Sequence, residues 1–266
     1  MIEGFAYLLV ILLVILAGVM FFFAIASFDG GEILLFLISL CLLCIFLFRW
    51  YKPLSKTWPP KRNRATKIML GLLPAVFLII IFITLKFFAS FDVVDSVFYI
   101  IFYIVLGYAW MYGGLLLMSI CFDLHWLDDV VYLNNKAALA AVAGEFLALA
   151  LIYAGANVGD GPGWWCVLFA ATLGIAAWLA TGFVVHYCTG IFERITVDRD
   201  LGCGIRFFLY LLCSGAILGY ACSGDWTSFS MTIEEFGAAW PILPLTAVFI
   251  IIERACKHRA QREVAP

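Results

Sequence analysis

Apolar runs of about twenty residues recur along this chain, and short polar gaps of alternating charge separate them. A helix crosses a hydrocarbon layer of about 30 Å with roughly 20 apolar residues. The pattern predicts eight spans, at about 5–27, 33–49, 68–90, 96–121, 137–157, 164–190, 203–222 and 237–253. The fold class is therefore all-α: a polytopic membrane helix bundle with eight transmembrane helices. Four segments follow. They are an N-terminal hairpin (1–48), a basic loop with Pro53, Pro59 and Pro60 (49–67), a six-helix region (68–253) and a basic tail (254–266).

The gaps give the orientation, because Lys and Arg beside a spanning helix stay on the cytoplasmic side. Arg49, Lys52, Lys56, Lys61, Arg62, Arg64 and Lys67 fill one gap. Lys136, then Arg194, Arg199 and Arg206, then Arg254, Lys257, Arg259 and Arg262 follow in every second gap. The intervening gaps hold Asp29, Glu32, Asp92, Asp95, Asp160, Asp225, Glu234 and Glu235, with no Lys or Arg. Both termini are expected in the cytoplasm. Ala24-Ile25-Ala26 has the form of a signal-peptidase site, but Met1-Ile2-Glu3-Gly4 offers no basic n-region, so the first span is expected to be retained.

Composition changes this picture little. Of 266 residues 65% are hydrophobic and 13% charged, far from the quarter or so of charged residues usual in soluble domains. The lipid bilayer is thus the first partner, with a second copy or other membrane proteins as further ones, and a net charge of −2 gives no reason to expect nucleic acid. The nine cysteines lie within spans or near their ends, not in an extracellular framework. Cys41 and Cys44 share a helix face as packing groups.

Small residues at four-residue spacing let helices approach closely in lipid. Ala140, Gly144 and Ala148 form one such set, Ala170 and Gly174 a second, and Gly215 and Gly219 a third, so helices five to seven are expected to make the packed centre. A faint repeat runs through the same region. Asn135 to Gly159-Asp160 and Asp200 to Gly224-Asp225 have one spacing, with Asp128 and Glu193 each seven residues before the start, as in a parallel repeat of two hairpins. The run Leu133-Asn134-Asn135-Lys136-Ala137-Ala138-Leu139-Ala140-Ala141-Val142-Ala143-Gly144, with Phe192-Glu193-Arg194-Ile195 and Asp200-Leu201-Gly202, resembles the YjfL-like family of bacterial inner-membrane proteins over about residues 95–225. The resemblance implies a bacterial inner-membrane, multi-pass location and a four-helix domain of undefined activity. It implies no catalytic residues.

Glu145 is the foremost candidate for chemistry, since a carboxyl about 12 Å into a span must be protonated, paired or open to water. Arg206 is its expected partner, either in an ion or proton site or in a structural ion pair, and a protonated Glu145 bonded to a backbone carbonyl is the further reading. Lys86 is expected to snorkel to the acidic surface. His125 and His186, with Cys121, Cys188 and Cys203 at similar depth, are weak metal or haem candidates, and ordinary interfacial histidines explain them; no metal or cofactor is expected. The 157–165 turn reads as Gly/Pro turn chemistry with a tryptophan anchor, and Asp123, Asp128, Asp129, Glu193, Asp198 and Asp200 as caps or partners of Arg194 and Arg199. No hydrolase triad, zinc-protease helix or Walker loop is recognisable, and the chain is not read as an enzyme. The leading functional expectation is small-solute or ion movement, or its regulation. The alternatives are a non-catalytic membrane scaffold or stress-response partner and a haem/redox or lipid-modifying enzyme.

Overall fold

The computed structural model describes residues 30–56, 64–161, 163–225 and 228–264. The first expected span, the 24–26 stretch and residues 57–63 of the basic loop lie outside the described residues. Regular structure in the rest is helical: α1 (Gly30–Lys56), α2 (Arg64–Phe87), α3 (Phe91–Val94), α4 (Val97–Phe122), a π-helical stretch (Trp126–Tyr132), α5 (Lys136–Ala156), α6 (Trp164–Thr189), α7 (Ile191–Thr196), α8 (Leu201–Cys222), α9 (Phe229–Glu235), a 3-10 turn (Phe236–Ala239) and α10 (Ile242–Val264). Seven helical stretches among the described residues are long and apolar enough to cross a membrane. The chain is a multi-pass membrane protein.

Two boundaries differ from those the charge pattern suggests. Helix α1 continues beyond 49 to Lys56 and α2 starts at Arg64, so much of the expected loop 49–67 is helix end. Lys and Arg are good helix formers whose long stems let the charged head leave the bundle without ending the helix. For the same reason α10 runs past 253 to Val264, and the expected tail is largely helical. Pro244 lies in the first turn of α10, where backbone N–H groups have no helical partner to lose.

A proline deeper in the bundle shows how freed backbone groups are satisfied. Pro74 lacks an N–H, so it releases the carbonyl of Leu70 one turn earlier in α2. The Trp50 indole N–H of α1 donates to that carbonyl at 2.9 Å, and the Tyr108 hydroxyl of α4 donates to the Pro74 carbonyl at 2.6 Å. An unmet carbonyl in hydrocarbon costs several kcal/mol, so these bonds both permit the proline and join α1, α2 and α4.

The suspected repeat is a structural one. Helices α4 and α6 are each 26 residues long and end at a left-handed residue, Asp123 (φ 51) or Gly190 (φ 65). A short helix follows in each, then a second left-handed residue, Asn134 (φ 52) or Arg199 (φ 55). The backbone bonds Leu133 N–H to Asp128 O (2.9 Å) and Asn135 N–H to Asp129 O (3.0 Å) recur as Asp198 N–H to Glu193 O (3.1 Å) and Asp200 N–H to Arg194 O (3.0 Å). Asn135 and Asp200 then cap α5 and α8 through their side chains. Each long helix is also tied back to the first helix of its own unit. Tyr153 O–H donates to Tyr103 O at 2.8 Å, and Cys222 S–H to Ala170 O at 3.2 Å.

The second long helix of each unit, α5 in one and α8 in the other, runs parallel to its counterpart and touches it along its length. A Cβ placed on Gly204 would stand 2.6 Å from Ala137 O, one on Gly215 2.5 Å from Ala148 Cα, and one on Gly219 2.5 Å from Leu151 O. A Cβ on Gly144 would meet Phe208 Cα at 2.9 Å, and one on Gly155 would meet Gly219 O at 1.9 Å. Gly174 brings α6 against both helices, its hydrogen facing Ile152 and Cys222. Ala140 is only partly buried, and Ala137, seven residues before Gly144 and so on the same helix face, takes the place expected for it against Gly204. Outside this centre α1 and α2 present large apolar residues outward, among them Leu34, Ile45, Leu72 and Ile79, as lipid-facing helices do.

The seam makes a sharp prediction. Gly155→Ala should destabilise the purified protein by about 2 kcal/mol or more, since a methyl group there strikes backbone that has no rotamer to change. Gly113→Ala, where nothing lies within 4 Å of the added carbon, should leave melting in detergent unchanged or raise it slightly. Equal melting of the two variants would refute the close approach.

Candidate functional site

Glu145 lies midway along α5 and is 2% exposed. It makes no hydrogen bond or ion pair among the described residues, and no charged group there offsets its burial. Its position is set by the seam: Gly144 is turned onto α8, and the next residue is rotated by about 100° away from it. Leu149, one turn further along the same face, meets Gly114 of α4 and lies beside Ile175 of α6. Glu145 therefore belongs to the side of α5 that faces α4 and α6. The close contact with α8 is on another side.

Arg206 does not pair with Glu145. Its guanidinium bonds to the carboxylate of Glu253 through Nε, and through Nη2 at 3.1 Å. Arg194 Nη1 reaches the same carboxylate at 2.6 Å, and Arg194 Nη2 reaches Asp200 at 2.8 Å. Glu253 has no exposed surface, so α10 contributes a buried carboxylate held between two arginines from α7 and α8. Asp200 also accepts the Cys203 N–H at 3.0 Å. Its partial burial opposes ionisation, but the N–H bond and the Arg194 guanidinium outweigh that and hold its carboxyl below the usual range. The expected partnership of acids with Arg194 is formed here, and it accounts for Arg206 as a structural cation.

The remaining candidates are spread apart. His125 Nε2 lies 3.1 Å from Asp123 at the end of α4, and its backbone N–H bonds to Asp129 at 2.8 Å. Burial pushes the Asp129 carboxyl up, against the opposing effect of that N–H. His186 rests 5.3 Å from the Phe192 ring, and its Nδ1 is buried without a partner. The two histidines have different partners, and among the described residues no three His, Cys, Asp or Glu groups converge as metal ligands. Lys86 donates to the Val94 carbonyl at 2.9 Å, at the end of the bundle where Gly159 N–H meets Phe88 O. It is a helix-end lysine, as expected.

Two features escape sequence reasoning. Glu253 is the last residue of the expected eighth span, beside Arg254, and nothing in the sequence marks it as the partner of Arg194 and Arg206. Gly155 and Gly204 lie outside the four-residue spacing of the small-residue sets, although each stands opposite the other long helix.

The clamp predicts a coupling. Glu253→Gln should lower stability by roughly 3–5 kcal/mol, because two guanidiniums lose their counter-charge in a dry setting, and adding Arg206→Met should recover part of the loss. Thermal melts of the single and double variants in one detergent measure this; strictly additive losses would contradict it. No family model, no curated protein and no solved structure matches the chain, so its function is argued from this geometry.

Proposed function

We propose that this membrane protein moves a small solute or ion, or regulates such movement, with Glu145 as the protonatable coupling group. One observation carries the reading: a fully buried carboxyl in the middle of a spanning helix has no partner among the described residues. An intramembrane carboxyl is costly to keep and is by default a functional group. The repeat strengthens the case. Asp160 and Asp225 mark equivalent turns 65 residues apart, and the same interval takes Glu145 to Tyr210. The Tyr210 hydroxyl bonds to Thr246 at 3.0 Å, so the slot does not call for a carboxyl in order to fold. The tight α5–α8 seam favours a route on the α4 and α6 side of α5.

The proposal includes an inner-membrane location in a bacterium, kinship with the YjfL-like family and a cytoplasmic position for the basic end. That end is where Arg254 Nε donates to Cys188 O at 3.0 Å and Asn135 reaches Ile195 O at 2.7 Å. In a background without native cysteines, a cysteine at 257 should resist a membrane-impermeant maleimide added outside cells, while one at 225 should react. The reverse pattern would invert the topology.

The functional reading is tested in proteoliposomes carrying an internal pH dye under an imposed proton or cation gradient. Wild type should dissipate the gradient faster than empty vesicles, and Glu145→Gln should keep wild-type melting while losing that flux. A Gln variant with unaltered flux would sink the role of Glu145. A wild type no faster than empty vesicles would favour a scaffold.

A further inference from the structure

The basic end of α1 forms a second site, independent of Glu145. A cavity of about 530 Å³ opens between the last turns of α1, the end of α4 and the start of the π-helical stretch. Arg49 and Lys52 stand at its α1 wall. Arg49 Nη1 donates to the Tyr112 hydroxyl at 2.9 Å, and Lys52 Nζ lies 4.7 Å over the Phe48 ring. Neither cation has a carboxylate within ion-pair distance among the described residues.

Among the residues lining the cavity the acid is Asp128, exposed at the rim, against the two cations Arg49 and Lys52, so a singly charged phosphodiester would bring the lining to balance. The apolar walls face outward: Phe48 is 46%, Leu116 41% and Ile120 79% exposed. Trp126 stacks on Trp50 at 4.4 Å, and with Tyr112 it supplies the amphipathic rings that favour the headgroup level of a bilayer. The sequence that follows α1's Lys52 adds Lys56, Lys61, Arg62, Arg64 and Lys67, a run of one sign of the kind that attracts anionic lipid.

We infer that this groove binds the headgroup of an anionic phospholipid, its phosphate between Arg49 and Lys52 and its acyl chains along Phe48, Leu116 and Ile120. A soluble phosphate would use the two cations but leave the outward apolar wall without a role, whereas a lipid uses both.

The test is native mass spectrometry and lipid titration of the full-length protein in a non-ionic detergent, using phosphatidylglycerol, phosphatidylcholine and glycerol 3-phosphate as separate probes. Wild type should retain phosphatidylglycerol at least tenfold more strongly than phosphatidylcholine. The Arg49→Gln/Lys52→Gln double variant should lose at least tenfold in phosphatidylglycerol affinity, while Lys257→Gln should not. If the double variant fails to fold, Lys52→Gln alone carries the test, since this exposed side chain makes no hydrogen bond or ion pair among the described residues, and a severalfold loss is expected. Unchanged phosphatidylglycerol binding in the variant, or equal binding of phosphatidylcholine by wild type, overturns the site. Displacement of the lipid by equimolar glycerol 3-phosphate would assign the cations to a soluble phosphate and overturn the lipid reading.

Discussion

In a bilayer, lipid tails offer a helix as apolar a surface as another helix does, so α5 and α8 gain nothing by merely hiding hydrophobic side chains from lipid. What they gain is contact at backbone distance, available only because Gly144, Gly155, Gly204, Gly215 and Gly219 have no Cβ to separate them. The rest of the centre follows from that approach. With the helices parallel and in contact, the cap of α5 reaches α7, the short helix that leads into α8, where the Asn135 amide donates to Ile195 O at 2.7 Å. At the other end their turns interlock, Gly224 N–H on Val158 O at 3.1 Å and Asp160 N–H on Asp225 at 2.9 Å. Even the orientation of Glu145 is a consequence, since turning Gly144 toward α8 turns its neighbour elsewhere.

Much of this is legible in the sequence because membrane constraints are written in few letters. Spans appear as apolar runs, and the small residues at 144, 148, 215 and 219 announce a contact. Asn135 and Asp200 announce matching helix starts. The legible signals are those in which one residue type has one physical use. Helix ends are less clear, because Arg49, Lys52 and Arg254 can stand equally well in a loop or on the last turns of a helix that has left the hydrocarbon. Partner choice is not legible at all. Arg206 has a carboxyl within plausible reach on α5 and another on α10, and only the three-dimensional path of α10 selects Glu253.

The duplication bears on which polar groups the architecture requires. Features common to both units are those of folding: the left-handed helix ends, the two backbone bonds across five and six residues before each cap, the capping side chains and the tie from the second long helix of each unit to the first. The buried charges are not shared. One unit carries Glu145 where the other carries Tyr210, and the other draws Arg194 and Arg206 onto a carboxylate supplied by α10. A duplicated scaffold with unlike polar insertions is the arrangement in which chemistry can be confined to one copy while the second supports it.

The two buried glutamates then have opposite physical roles. Glu253 is fully enclosed but faces two guanidiniums, and three charge-assisted contacts hold its carboxyl in place; such a group holds one geometry and resists change. Glu145 is almost as enclosed, with no cation paired to it among the described residues. Under the proposed function, a proton or small cation arriving there would change the local charge in a region of low dielectric, where such a change has the greatest effect on neighbouring helices. The closed α5–α8 seam would give that change a fixed wall on one side. Helices α4 and α6, on the other side of Glu145, would then be the elements that respond.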